Sequence, residues 1–501
     1  MLRTGAALPS FAAVRKELAL PELANSATFP PEVQAEAERT AARHAFAARA
    51  DATDLPLVTI DPPDALDLDQ ALLVRRTARG FTVDYAISDL TAFVRPGGPL
   101  DLEAQRRGQT LYLPDSKVPL HPPVLSEGAA SLLPGEVRPA VLWTIDLDAD
   151  GQPVDVRVRR ALVRSTARLD YEGVSADIAA GRPHPSIAAM PDLGRLRREQ
   201  AQARGAVELV LPEQQIEPDG RGGWRIVLRR RNDVDLWNAE ISLLTGMCAA
   251  DLMIKARIGL LRTLPDPDQA TIVELKQSAR ALGVQWREDQ GPACVLSGLD
   301  PREPRALAVF TEASRLLRGA GYVSFDGAVP QQTRHTGVGA PYAHVTAPLR
   351  RLVDRFTTEV CLALHAGAAV PAWARQALPH LPEVMAASDR LAARAERACL
   401  DQVESWLLAD RVGDMFEAVV LRNSDDSGGA HAAGNADVFV TDPPVLGRCF
   451  GVGLREGRRV QVRLVEADPA TRKVQFKAVH SLDPARGEEL RWTSSARARS
   501  V

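Results

Sequence analysis

The sequence predicts an α+β protein in which a large mixed domain is followed by a small five-stranded barrel of the OB type. Three observations carry that prediction. Short β-branched or alternating runs, "LPLVTI", "QALLVRR", "FTVDYAI" and "PAVLWTIDLD", follow one another from about residue 56, broken by the turn-forming stretches "TARG", "RPGGP" and "DADGQP". From about residue 190 the apolar residues recur at helical spacing, as in "DVDLWNAEISLLTGMCAADLMIKARIGLL" and "PLRRLVDRFTTEVCLALHAG". After Val412 the alternation of strands returns.

Taken in order, residues 1–55 hold "PSFAAVRKELAL" and "PPEVQAEAERTAARHAFAARA". Both have proline near the start, good helix formers and few β-branched residues, which predicts a small helical module of helix-turn-helix type. Residues 56–400 read as one large domain, its helical half interrupted by a β-like segment at "WRIVLRRR". Within 410–485 the strands "VGDMFEAVVLR", "ADVFVTD", "RRVQVRLVEAD" and "RKVQFKAVH", with "DPATRK" as a hairpin turn, fit the barrel. From Arg448 onward basic residues outnumber acidic ones by about two to one, a local excess that suits contact with a nucleic-acid backbone. Residues 486–501 read as a disordered basic tail, and no solenoid-type repeat is evident.

With 501 residues, 45% hydrophobic and 25% charged, the chain is long enough for several domains and is neither disordered nor fibrous in composition. No apolar stretch approaches the roughly 18 to 20 residues that span a bilayer, and charges interrupt the N-terminus where a signal peptide needs an apolar centre. A soluble cytoplasmic monomer with no membrane partner is expected. Five scattered cysteines without a CxxC pair argue against a disulfide framework or a cysteine zinc site. A formal charge of −3 means that any polyanion binding must be local.

The segment "DPPDALDLDQ", residues 61–70, places Asp61, Asp64, Asp67 and Asp69 directly after an apolar strand. Such a run can be a solvated turn in which Asp64 or Asp67 caps the next element. Three features favour chemistry instead: the cluster begins where a strand stops, Asp67 and Asp69 share a face if the segment is extended, and no Lys or Arg lies between Asp54 and Arg75. A divalent cation is then the economical partner, and all-oxygen donors select Mg²⁺ or Mn²⁺ over zinc. An EF-hand pattern is missing, and a haloacid-dehalogenase-type DxD would need its first Asp where Asp61 stands.

"TIDPPDALDLDQAL", then "YAISDLTAFVRPGGPLDLEAQRRGQTLYLPDSKVPLHPPVLSEGAASLLP", "RLDYEGV" and "YAHVTAPLRRLVD" resemble, in order and spacing, the catalytic domain of the ribonuclease II/R (RNB) exoribonucleases over roughly residues 56–370. The tail resembles the S1-type RNA-binding OB domain that usually follows it. The resemblance implies processive 3′-to-5′ hydrolysis of single-stranded RNA to nucleoside 5′-monophosphates with Mg²⁺. It also implies two cold-shock-type domains ahead of the catalytic one, for which residues 1–55 are too few.

Carried over by position, Asp61, Asp67 and Asp69 match three family active-site aspartates, and Gln70 stands where the fourth would be. A Gln carbonyl can ligate a hard cation but adds no charge, so weaker Mg²⁺ binding or a preference for Mn²⁺ follows. Arg350 and Arg351 match the family's basic pair. Thr346 and Pro348 read as an N-cap and first-turn proline, which places Arg350 in the first turn of a helix where a phosphate would be favoured. Glu240, in an apolar helical stripe with Leu236, Leu243, Leu244 and Met247, aligns with a family active-site glutamate or is a core glutamate paired with an arginine. Tyr112 matches a base-stacking tyrosine. The second stacking aromatic, expected near "GAVELVLPEQ", is missing. Tyr342 and His344 fit the motif as packing or RNA-contact residues.

Overall fold

The computed structural model describes residues 9–25, 28–42, 46, 49–209, 213–300, 302–423 and 434–481. Its central element is a mixed sheet in which Leu57–Ile60 lies between Gln70–Thr77, antiparallel to it, and Pro153–Leu169, parallel to it. Gly80–Ser88 follows Gln70–Thr77, and Val137–Leu147 pairs with both Gly80–Ser88 and Pro153–Leu169, which closes the sheet on itself. All four strands expected from the early apolar runs are present. Gly80 is required at the first hairpin: it has φ 147°, and a Cβ there would lie 2.2 Å from the Asp148 carbonyl.

The 17-residue strand Pro153–Leu169 is not apparent in the apolar pattern, because arginines alternate along it. Val158 enters the main core from one face and Ala161 and Val163 enter a second core from the other, while Arg157, Arg159 and Arg164 are exposed. One sheet face, with Val58, Leu72, Val74, Tyr85 and Trp143, packs against the helices Asp233–Ala256 and Leu352–His365 in the main core. Asn232 starts the first of these helices with a reciprocal cap: its side chain accepts from Asp235 N–H at 3.0 Å, and Asp235 accepts from Asn232 N–H at 2.9 Å. The apolar run does not continue as helix through "ARIGLL". Arg257 adopts the left-handed conformation, φ 58°, and the chain reverses into the strand Ile258–Thr263, which pairs with Gly321–Asp326.

The N-terminal helices are built into the body. Phe11 and Val14, flanking and within Ala12–Glu17, pack with Leu111, Trp224 and Cys399, whereas Phe29, Val33 and Ala37, at Pro31–Ala41, pack with Phe93, Leu125 and Leu349. The two helices share no core with each other, so the helix-turn-helix expectation is not met among the described residues.

The C-terminal strands Met415–Asn423, Gly434–Thr441, Pro444–Gly451, Lys473–Ser481 and Arg459–Asp468 pair in that order into a closed barrel. Its core includes Phe416, Val438, Val462 and Phe476. The strand hidden in the sequence is Pro444–Gly451, where Gly447 lies under the Phe476 ring with no room for a Cβ. "DPATRK" forms the expected hairpin, with Asp468 opposite Lys473. The helix Leu381–Leu408 joins body and barrel without a linker: Leu381 and Met385 belong to the main core and Leu408 to the barrel core. Near its start Ser388 closes on Gly108, φ 74°, where a Cβ would lie 2.7 Å from the serine. The basic tail from residue 486 lies outside the described residues.

Candidate active site

Asp61 leaves the end of Leu57–Ile60, held by its N–H to the Leu169 carbonyl at 3.1 Å. The following segment is pinned by Leu68, fully buried, whose N–H donates to Ser131 Oγ at 3.0 Å. With Leu68 turned inward, its neighbours Asp67 and Asp69 act on one another electrostatically, in accord with a shared face. Asp64 is exposed and outside this group.

Asp69 is buried and accepts the Leu349 N–H at 2.7 Å, with Arg350 Nε 3.4 Å from its other oxygen. Burial pushes its carboxyl up to about 8, against the pull of Arg350 and the Leu349 N–H. Burial likewise pushes Asp61 up to about 6, opposed by Arg350 and reinforced by Asp67. The nearby positive charge offsets burial only in part. Part of that charge comes from residues remote in sequence, which the absence of Lys and Arg between Asp54 and Arg75 concealed.

Arg350 is not in the first turn of a helix. Residues 346–351 form a turn, the helix begins at Leu352, and Thr346 does not cap it. The turn is stapled by Asp354, fully buried, which accepts from Ala347 N–H at 2.7 Å and from Arg351 Nε and a terminal Arg351 nitrogen, both at 2.7 Å. Arg351 is thus committed to Asp354, while Arg350 is half exposed at the acidic cluster. Backbone bonds from Thr110 N–H to the Arg350 carbonyl and from Leu352 N–H to the Gly108 carbonyl, each 3.0 Å, lay the 108–113 segment along this turn.

That segment continues into the hairpin of Leu111–Leu113 and Ser116–Val118, where Tyr112 and Lys117 are cross-strand partners. The Tyr112 hydroxyl donates to one Asp67 oxygen at 3.0 Å, and its ring is 54% exposed. Lys117 Nζ lies 3.2 Å from the other Asp67 oxygen and 2.8 Å from Glu127. Burial lowers the Lys117 pKa, but Glu127 and Asp67 outweigh it and leave it raised. Lys117 was not singled out from sequence; only its place in the hairpin beside Tyr112 could have drawn attention to it.

Gln70 is turned to structural use. Its amide donates to the Thr346 carbonyl at 2.7 Å, and its oxygen accepts the Tyr85 hydroxyl at 2.5 Å. Ser242 bonds Thr346 at 2.9 Å, placing that side of Asp233–Ala256 toward the site. Glu240 sits about 200° away around the helix. It is buried, its pKa raised by burial against Arg197 and Arg204, and one of its oxygens has no hydrogen-bond partner. The structure does not bring it to the aspartates. Tyr342 and His344 pack edge-to-face, 5.3 Å between centroids, and Tyr322 OH meets His344 Nδ1 at 2.8 Å. Burial holds the His344 imidazole neutral. Tyr171, in "RLDYEGV", has its hydroxyl 3.3 Å from Asn238 and feels the Asp61 charge.

These donors suit a hard cation in kind, since all are oxygens. The Asp61 carboxylate accepts no hydrogen bond among the described residues, and the upward shifts of Asp61 and Asp69 would be relieved by positive charge between them. Even so, no three His, Cys, Asp or Glu among the described residues already stand together as a ligand set. Asp67 is engaged by Tyr112 and Lys117, and Gln70 by Tyr85 and Thr346.

Residues 49–363 match the RNB domain, and residues 414–479 match the RNase II-type exonuclease C-terminal S1 domain. Ribonuclease R of Escherichia coli is 27% identical over 485 residues, which cover 87% of this chain and 58% of that protein's length. Mycoplasma genitalium RNase R, solved in its apo form and in complex with ribose methylated single-stranded RNA, superposes in each case with a TM-score of 0.80 at 20% identity, covering 93% of this chain and 77% of that one. The yeast pseudonuclease Ssd1 superposes with a TM-score of 0.64 at 16% identity, covering 83% of this chain and 52% of that one. All three structures share the fold.

Proposed function

The chain belongs to the RNB family, and on that premise we propose that it hydrolyses single-stranded RNA processively from the 3′ end, releasing nucleoside 5′-monophosphates with Mg²⁺ or Mn²⁺. The observation that carries this reading is the Arg350 guanidinium, half exposed and 3.4 Å from buried Asp69, in one site with Asp61, Asp67 and the open face of Tyr112. An anion-binding fork beside a carboxylate able to take a proton and a platform for a base supports the reading. Complexes of the Mycoplasma enzyme with single-stranded RNA support the ligand class.

In this mechanism Tyr112 stacks a base near the 3′ end without regard to its identity. Arg350 holds the scissile phosphate and offsets the charge that grows on it during attack. Asp69, once ionised, orients the attacking water and accepts its proton, a role favoured by a pKa near the working pH. Asp61 and Asp69 would hold the cation, beside Asp67, which stays paired with Lys117. That ion, when bound, supplies the Lewis-acid charge that activates water and steadies the departing oxygen. The barrel captures the strand through its basic residues.

Incubating the protein with 5′-labelled single-stranded RNA and Mg²⁺ or Mn²⁺ tests the reading. A stepwise ladder is expected from the parent chain and intact RNA from D69N. A second reading, an RNA-binding protein with an inactive RNB fold, is favoured by Gln70, an uncharged side chain bonded to Tyr85 and Thr346, and by the fold shared with a pseudonuclease. It would stand if the parent retained RNA uncut with both ions and Q70D started a ladder.

A further inference from the structure

We infer that Lys117 is a built-in cation that takes the place of a second metal ion, so that the site loads a single divalent ion. The inference rests on the metal-dependent reading above and deepens it. Its foundation is the hairpin register: Tyr112 and Lys117 lie directly opposite, so both side chains project from one face of the hairpin, and each occupies one oxygen of Asp67. The ammonium is held from its other side by Glu127 at 2.8 Å, which fixes it at Asp67 rather than leaving it to wander in solvent. Exposed ion pairs contribute little, but here the side chains are 28% and 14% exposed, so screening is reduced.

Contacts point the same way. Lys117 stands against Asp67 and Arg350 against Asp69, whereas Asp61 has no cation in contact among the described residues. Paired-ion sites that clamp both the attacking and the leaving oxygen need shared carboxylates. Gln70, which could have added an oxygen without charge, is withdrawn to Tyr85 and Thr346. Residue choice fits too. Only six of the 61 Lys and Arg residues are lysine, yet a lysine stands here, where a compact ammonium resembles a point charge more than a planar guanidinium does.

Mn²⁺ bound per chain, counted by electron paramagnetic resonance without RNA, tests this independently of cleavage. One ion is expected for the parent, for K117R and for Y112F, and two for K117M and K117Q, both checked for a native thermal transition. Replacing both positions, as Q70D/K117M, should tighten the second ion by about tenfold over K117M. Two ions on the parent would overturn the inference and leave the metal-dependent reading intact, and so would one ion on both lysine-to-neutral variants. A parent that binds no Mn²⁺ would sink the metal-dependent reading itself.

Discussion

Tyr112 and Lys117 face each other across a hairpin and divide one carboxylate between them, the phenol at 3.0 Å and the ammonium at 3.2 Å from the two oxygens of Asp67. The phenol hydroxyl is therefore occupied while the residue stays 54% exposed. Replacing Tyr112 with Ala should weaken binding of single-stranded RNA by about 1 to 3 kcal/mol, the range for losing one stacked base. Phe keeps the face and should bind within about twofold of the parent, well below the energy of one stacked base. Fluorescence anisotropy without divalent ions, so that nothing is cut, measures both.

Arg350 should matter to rate more than to binding. R350A is expected to lower single-turnover cleavage by about 10²- to 10³-fold, as for loss of a group that meets developing charge, with a smaller change in RNA affinity. R350K should recover only part of this, because an ammonium cannot fork onto two phosphate oxygens. D69N should abolish cleavage and leave binding. If D69N cut RNA at the parent rate, catalysis would not reside in this cluster.

Asp354 touches no substrate in this arrangement, yet it should be among the least tolerant positions. It is fully buried and staples the turn that presents Arg350. D354A leaves the Arg351 charge uncompensated and should cost about 3 to 5 kcal/mol of unfolding free energy in urea titration, as expected for breaking a buried pair. D354N keeps the shape and should cost less.

Glu404, buried on Leu381–Leu408, accepts the Leu446 N–H of the barrel at 3.0 Å, and burial pushes its carboxyl from 4.5 up to about 7. Between those two values the folded chain keeps a proton that the unfolded chain releases. This contribution to stability is therefore complete below about pH 4.5, falls as pH rises to about 7 and is flat above, a loss on the order of 3 kcal/mol. Thermal melts across that range should show the decline in the parent and a shallower one in E404Q.

Much of the architecture could be read from the chain because alternation and helical spacing report burial directly. Val58, Leu72, Val74 and Val141 are apolar where a strand face is covered, and all lie in the main core. The pattern failed where another constraint governed. Arginines hide the strand Pro153–Leu169 because exposed positions fall on both of its faces, Arg157 and Arg159 on one and Arg164 on the other. Arg257 ends a helix in a left-handed turn without the glycine that would have marked it. "TAPLRR" has the residues of a helix start but is bent into a turn by Asp354, further along the chain. At the site, the aspartates were legible as a dense run after a strand. Of their protein cations, Arg350 was named from the motif, whereas Lys117 was not, since it reaches Asp67 only through the register of the hairpin. The exposed ring of Tyr112 was expected from the motif, whereas its bond to Asp67 depends on hairpin register.

The helix Leu381–Leu408, 28 residues and about 42 Å at 1.5 Å per residue, carries Ser388 against Gly108 near one end and Glu404 against the barrel near the other. Gly108 is bonded to Leu352, directly beyond the arginine turn. The barrel and the arginine turn are therefore mounted on one stiff rod, and a pull on the barrel loads the same girder that braces that turn.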